Sequence, residues 1–192
     1  MKKRIKIQGF LIFLAVVMLA AFHKYLLPGP DGSIAKIILD LIGLTLFLSG
    51  YFLRMAARGY KAQLNPDGKT LVTKGPYALT RNPMYLGTLL VGLGIIILIL
   101  RWWWGSLIFL IIYLSIYIPQ IRIEEKKLRD FFGGSFGDYC KNTPRFFPGI
   151  RSLMRLDSGI KFQLSWAKPE LPSFLTAAAF VFLIKIWALL GK

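Results

Sequence analysis

Apolar residues fall in long runs separated by short polar segments. The runs are Ile5 to Leu27, Ile34 to Leu53, Met84 to Leu100, Gly105 to Pro119, and Leu171 to Leu190, the last broken by Lys185. A hydrocarbon core of roughly 30 Å takes about 20 apolar residues as a helix. The pattern therefore predicts an all-α integral membrane protein with about five transmembrane helices. The first run is longer than a signal-peptide core and lacks a small-residue cleavage site, so it is expected to be retained.

The polar links carry their own signals. "LLPGPDGS" between the first two runs is a Pro/Gly turn with Ser33 as a helix cap. "LRWWWGS" between the third and fourth fits an interfacial aromatic belt. "NPDG" is a turn, and the alternating β-branched residues of "KTLVTKG" predict a short extended piece on the membrane face. After the fourth run the helix is expected to continue past Pro119 as "QIRIEEKKLRDFF", until "GGSFG" breaks it. Residues 150–170 read as an interfacial amphipathic segment. Three units follow: an N-terminal hairpin and its link over 1–68, a core over 69–148, and an amphipathic segment with the last apolar helix over 149–192.

Composition agrees with this and charge orients it. The chain of 192 residues is 55% hydrophobic, with mean hydropathy +0.55 and net charge +16. The basic residues crowd the head "KKRIK", the segment Arg54 to Arg81, and the segment Arg122 to Lys168. Basic loops stay cytoplasmic, so the N-terminus and both large basic segments are expected inside. The charge then serves topology and attraction to anionic lipid, which argues against a nucleic-acid partner. Cys140 is the only cysteine, so no intrachain disulfide forms, and it reads as an inert, partly buried thiol. His23 has no second His to build a metal site with. No Walker or dinucleotide-binding glycine pattern is present.

Candidate chemistry gathers at the ends of the third and fourth runs. In "RNPMYLG", Asn82 as N-cap and Pro83 at the first helical position make an ordinary helix start. That leaves Arg81, Tyr85 and Gly87 unexplained. Gly87, Gly92 and Gly94 make the third run small-sided, either for close helix packing or for the approach of a ligand. In "RIEEKKL", adjacent carboxylates point about 100° apart on a helix. They read either as a solvated face paired with Lys126, Lys127 and Arg129 or as a site for a cationic ligand. Asp40 inside the second run is a functional candidate by default, and Lys36 one turn earlier is an available partner.

Taken together, "GPYALTRNPMYLG" and the later "EEKKLRDFFGGSFGDYCKNTPRFFP" resemble the isoprenylcysteine carboxyl methyltransferase and phospholipid methyltransferase family of membrane enzymes. Gly75, Pro76, Arg81, Pro83, Tyr85 and Gly87 match its first block. Glu124, Glu125, Leu128, Phe132, Gly133, Tyr139, Pro144, Arg145 and Pro148 match its second. Asn82 stands where the isoprenylcysteine enzymes usually have His, and Phe136 where the first Tyr usually is. The resemblance implies S-adenosylmethionine as cofactor, held at the cytoplasmic membrane edge by Gly75, Tyr77, Arg81, Asn82, Pro83, Tyr85, Glu124 and Glu125. It implies a lipophilic acceptor entering laterally, with Arg122, Tyr139 and Arg145 on the substrate and Arg122 and Glu125 as catalytic residues. A carboxylate acceptor would be oriented by Arg122 or Arg81; an amine would first pass a proton to a carboxylate. A non-catalytic scaffold on the same fold and a nicotinamide-dependent sterol-reductase-like enzyme are the rival readings, and cofactor binding separates them.

Overall fold

A computed structural model describes residues 33–100, 103–149 and 162–190. Over these residues the chain is helical: α1 (Ser33–Leu64), α2 (Pro76–Leu79), α3 (Pro83–Leu100), α4 (Trp103–Phe132), α5 (Gly134–Asn142), a 3-10 turn (Leu164–Ala167) and α6 (Leu171–Leu190). Among the described residues three helices, α1, α3 and α4, are long and apolar enough to cross a membrane, and α6 is apolar over Leu171–Trp187. The fold is an all-α membrane fold. The first apolar run, Ile5 to Leu27, lies outside the described residues, as does most of the predicted amphipathic segment.

The helices extend beyond the apolar runs. α1 continues past Leu53 to Leu64 and carries Arg54, Arg58 and Lys61 out of the apolar zone. α4 passes through Pro119 and carries the double Glu beyond its apolar half. "KTLVTKG" forms no strand; within it Val72 is buried against the rest of the fold.

α1 and α3 form the tightest pair. Gly43 faces Gly94, and Gly50 faces Gly87, so the two helices run antiparallel with contacts repeating every seven residues. A Cβ at Gly50 would meet the Gly87 carbonyl oxygen at 2.7 Å, and one at Gly94 would meet the Gly43 carbonyl oxygen at 2.7 Å. Small residues here let backbones touch, the usual route to helix association where lipid removes the hydrophobic drive. Phe47, Leu89, Ile96, Tyr113 and Ile121 fill the core. Ile38, Leu41, Phe52, Ile111, Leu175 and Phe182 are exposed, as a surface facing hydrocarbon allows.

Two charges that interrupt the apolar runs turn out to belong together. Asp40 of α1 pairs with Lys185 of α6 at 2.8 Å. Lys36, one turn earlier, is the partner that the sequence offers; the structure adds an ion pair across the bundle, to Lys185.

Candidate active site

The site is built where the start of α3, the polar half of α4 and the segment after α5 converge. Gly75 begins this region with φ 59, a left-handed backbone that suits glycine, and a Cβ there would lie 2.1 Å from the Tyr60 ring. The turn lets α2 present Tyr77, whose carbonyl accepts a 2.6 Å hydrogen bond from the Tyr139 hydroxyl of α5. Next, the Arg81 amide donates to the Pro144 carbonyl at 3.0 Å, and the Thr80 hydroxyl donates to the Arg145 carbonyl at 3.1 Å. The two sequence blocks are thus tied backbone to backbone.

Asn82 does more than start a helix. Its Nδ2 donates to Glu125 Oε1 at 3.2 Å and to the Arg145 carbonyl at 2.9 Å. Pro83 follows, fully buried, at the first position of α3. Glu125, 6% exposed, is enclosed by cations. Arg145 Nε donates to its Oε2 at 2.9 Å, and Arg81 Nε lies 3.1 Å from its Oε1. Arg81 Nε is buried, and its N–H is not aligned on that oxygen or on any other acceptor among the described residues. Arg81 therefore neutralises Glu125 while keeping a donor free.

Glu124 takes a separate set of partners, as the 100° step along a helix requires. The Tyr85 hydroxyl donates to its Oε1 at 2.7 Å and Gln120 Nε2 at 3.0 Å. The Tyr85 ring lies 5.5 Å from Tyr117, which stacks on Tyr113 at 4.2 Å. The Tyr113 hydroxyl donates to the Tyr85 carbonyl at 2.7 Å. Burial pushes the Tyr77 phenol up to about 12, with the Glu124 charge adding to it. Burial likewise raises the Tyr139 phenol, next helped by Tyr77. Both stay protonated at neutral pH, Tyr139 as the donor that fixes Tyr77.

Beside Tyr113 and Tyr117 opens an apolar cavity of about 520 Å³ between α3, α4 and α6. Thr88 and Ser173 lie toward its polar end, and Ile95, Phe109 and Phe180 line its depth.

Of the residues singled out from sequence, Gly75, Tyr77, Arg81, Asn82, Pro83, Tyr85, Glu124, Glu125, Tyr139 and Arg145 come together here. Arg122 does not join them: it is exposed on α4, with no ion pair or hydrogen bond to the described residues. Phe136 is fully buried and packs edge-on to Tyr139 at 6.1 Å, so it serves as a core aromatic. Lys126, Lys127 and Arg129 are exposed and leave both carboxylates to the partners above. Sequence reading missed Thr80, Gln120, Tyr113, Tyr117 and Arg54. Gln120 was findable, since it precedes Glu124 by one helical turn.

No solved structure matches the chain. It is 37% identical over 91 residues to the cobalt-zinc-cadmium resistance protein CzcN of Cupriavidus metallidurans, covering 46% of this chain and 40% of that one. It is 35% identical over 80 residues to a protein-S-isoprenylcysteine O-methyltransferase of Schizosaccharomyces pombe, covering 42% and 34%. It is 26% identical over 116 residues to protein-S-isoprenylcysteine O-methyltransferase B of Arabidopsis thaliana, covering 56% and 58%. The chain thus matches less than two thirds of the length of each of these relatives. The phospholipid methyltransferase family model matches residues 38–135, about half of the chain, from the Asp40 region of α1 through the double Glu. With both sequence blocks folded into one buried cluster, the chain belongs to the phospholipid methyltransferase family.

Proposed function

We propose that the protein transfers a methyl group from S-adenosylmethionine to a lipophilic acceptor at the cytoplasmic membrane edge, the acceptor being a prenylcysteine-like carboxylate or an aminolipid. The observation that carries this is the junction of a buried, charged cluster with an apolar groove. A polar cofactor and a greasy acceptor need such a junction in order to meet.

The residues fit the cofactor's charges. Arg81 offers a buried, unaligned Nε donor suited to a carboxylate. Glu124 offers a partly accessible carboxylate for cationic groups, and Tyr85 and Tyr77 offer aromatic faces beside it. When bound, S-adenosylmethionine supplies an activated methyl on a sulfonium, which calls for alignment more than for acid or base help. Glu125 holds Arg81 and Asn82 in place, and through Arg145 it draws in the segment after α5. Arg145, whose side chain is 45% exposed, retains donors for an acceptor carboxylate. For an amine acceptor, Glu124 is the carboxylate placed to receive the proton. The stacked Tyr113 and Tyr117 keep water out along the groove side.

The test has two stages. Isothermal titration of S-adenosylhomocysteine into protein in detergent is expected to give saturable binding, and no binding would leave the scaffold reading. Radiolabelled methyl transfer in liposomes then offers an aminophospholipid, a prenylcysteine analogue and a short soluble amine as separate acceptors. Label in either lipid supports the proposal, and efficient methylation of the soluble amine alone would overturn it.

The orientation proposed with this function is N-terminus inside, on the strength of the Lys and Arg asymmetry. In a Cys140→Ser background, cysteines placed at Asn65 and Ser33 are expected to label from opposite sides. Labelling of the Asn65 position from outside intact cells would reverse the scheme.

A further inference from the structure

α6 begins directly after Glu170 and lies beyond residue 135, where the family match ends. It nevertheless builds one whole side of the apolar groove. Ser173, Thr176, Ala177 and Phe180 all line the cavity, and their spacing puts them on one helix face. From Ser173 to Phe180 the helix rises about 10 Å, so this face runs from the polar end of the groove into its depth. Thr176 and Ala177 are small and leave the middle open. Phe180 narrows the far end.

Charges hold this wall against α1. Glu170, 1% exposed, accepts Arg54 Nε at 3.0 Å and lies 2.9 Å from Arg54 Nη2, both on Oε2. Arg58 Nη2 lies 2.9 Å from Oε1, as a charge contact without an aligned hydrogen bond. Arg54 also donates to Thr88 on α3, which ties this clamp to the groove's polar end. The second clamp is Asp40–Lys185. Along α1 the order is Asp40 then Arg54; along antiparallel α6 it is Glu170 then Lys185. The clamps sit about 21 Å apart along α1 and have opposite polarity. A slip of α6 by one turn would part both pairs and leave charges unpaired in a low dielectric, a costly outcome. Between the clamps, the Tyr51 hydroxyl donates to the Ser173 carbonyl at 2.9 Å, and Phe174 packs on Phe47 and Tyr51.

We propose that α6 is the selectivity wall of the acceptor groove: a single slender hydrocarbon chain lies against Thr176, Ala177 and Phe180, and the two clamps fix the depth at which those side chains meet it. The proposal rests on the acceptor reading above. It makes Ala177 and Phe180 specificity residues, and Glu170 and Lys185 positioning residues.

The probe is a single-chain phosphoethanolamine amphiphile carrying a diazirine at the end of its alkyl chain. It is photolysed with the full chain in detergent, and adducts are mapped by mass spectrometry. Adducts are expected on groove-facing residues of α6 and α4, competed by an unlabelled long-chain analogue and not by a short one. Ala177→Trp is expected to cut these adducts at least ~10-fold while S-adenosylhomocysteine binding stays at the wild-type value. Ala177→Leu, a milder filling, gives the same direction if the Trp variant does not fold. Lys185→Asp is expected to scatter the adducts, and adding Asp40→Lys to it restores them, which a generally destabilised helix would not do. Adducts confined to the lipid-facing Phe182 and Leu183, or wild-type labelling in both Ala177 variants, would overturn the proposal. Wild-type cofactor binding with adducts off the groove defeats this inference alone. Groove adducts without any cofactor binding defeat the methyltransferase reading and leave the wall intact.

Discussion

Glu125→Ala is expected to lose both stability and cofactor binding, whereas Glu124→Gln is expected to lose binding with little change in stability. The difference follows from what each carboxylate holds. Glu125 is buried and faces two guanidinium groups and the Asn82 amide. Removing it leaves Arg81, whose side chain is only 10% exposed, without its counter-charge. Breaking a buried pair in this way costs about 3–5 kcal/mol, and the lower end applies because Arg145 is partly exposed and screened. Arg81, Asn82 and the segment at Arg145 then lose their common anchor, so S-adenosylhomocysteine affinity falls at least ~10-fold, about 1.4 kcal/mol. Glu124 is half-buried and accepts from Tyr85 and Gln120. A Gln there keeps the shape and removes the charge offered to a cation, at a cost in binding of about 1.5–3 kcal/mol. Denaturation in mixed micelles and isothermal titration on the same samples measure both effects. Wild-type stability in Glu125→Ala would contradict the buried-anchor role, and unchanged affinity in both variants would remove the double Glu from the site.

Much of the fold was legible because hydropathy is a local property. Met84 to Leu100 became α3 with one added residue, Pro83, and Leu171 to Leu190 became α6 as read. α1 overran its predicted end because loss of hydropathy ends a membrane run without ending a helix; Arg54, Arg58 and Lys61 are all good helix formers. Partners were harder to read than elements. Asn82 looked like a cap from its neighbours, yet its amide goes to Glu125 and to a carbonyl of the Arg145 segment, which nothing local announces. Lys36 lies one turn from Asp40 and is visible in the sequence, whereas the pairing of Asp40 with Lys185 on α6 is not. Glu170 sat unremarked in "AKPE", although a buried acid at the start of an apolar helix needs a cation, and α1 supplies two. The site blocks were found as motifs, but their geometry depends on three distant segments meeting.

The glycines of α3 differ by position: Gly87 and Gly94 meet the backbone of α1, whereas Gly92 lines the apolar cavity beside Phe109; that difference yields the second large effect. Gly94→Ala is expected to destabilise the protein by about 3 kcal/mol, near the upper end for overpacking, while Gly92→Ala is expected to be close to neutral. A Cβ at Gly94 would meet Phe47 N at 2.6 Å, the Gly43 carbonyl oxygen at 2.7 Å and Phe47 Cα at 2.9 Å. All three are backbone atoms of α1, which cannot swing aside singly, so the helices must part. At Gly92 the nearest atoms belong to the tip of the Phe109 ring, at 2.2 Å, and that ring borders the apolar cavity into which it can turn. Intrinsic helix propensity favours Ala over Gly by about 1 kcal/mol at both sites, so a loss at Gly94 must exceed that gain before it appears. The effect should reach the site as well. Parting α1 from α3 carries Arg54 away from Thr88 and strains its pair with Glu170. Unfolding of the two variants in mixed micelles, read beside S-adenosylhomocysteine titration, is the measurement. Equal stability of Gly94→Ala and wild type would mean that α1 and α3 do not touch at Gly43, and the antiparallel glycine pairing would have to be abandoned.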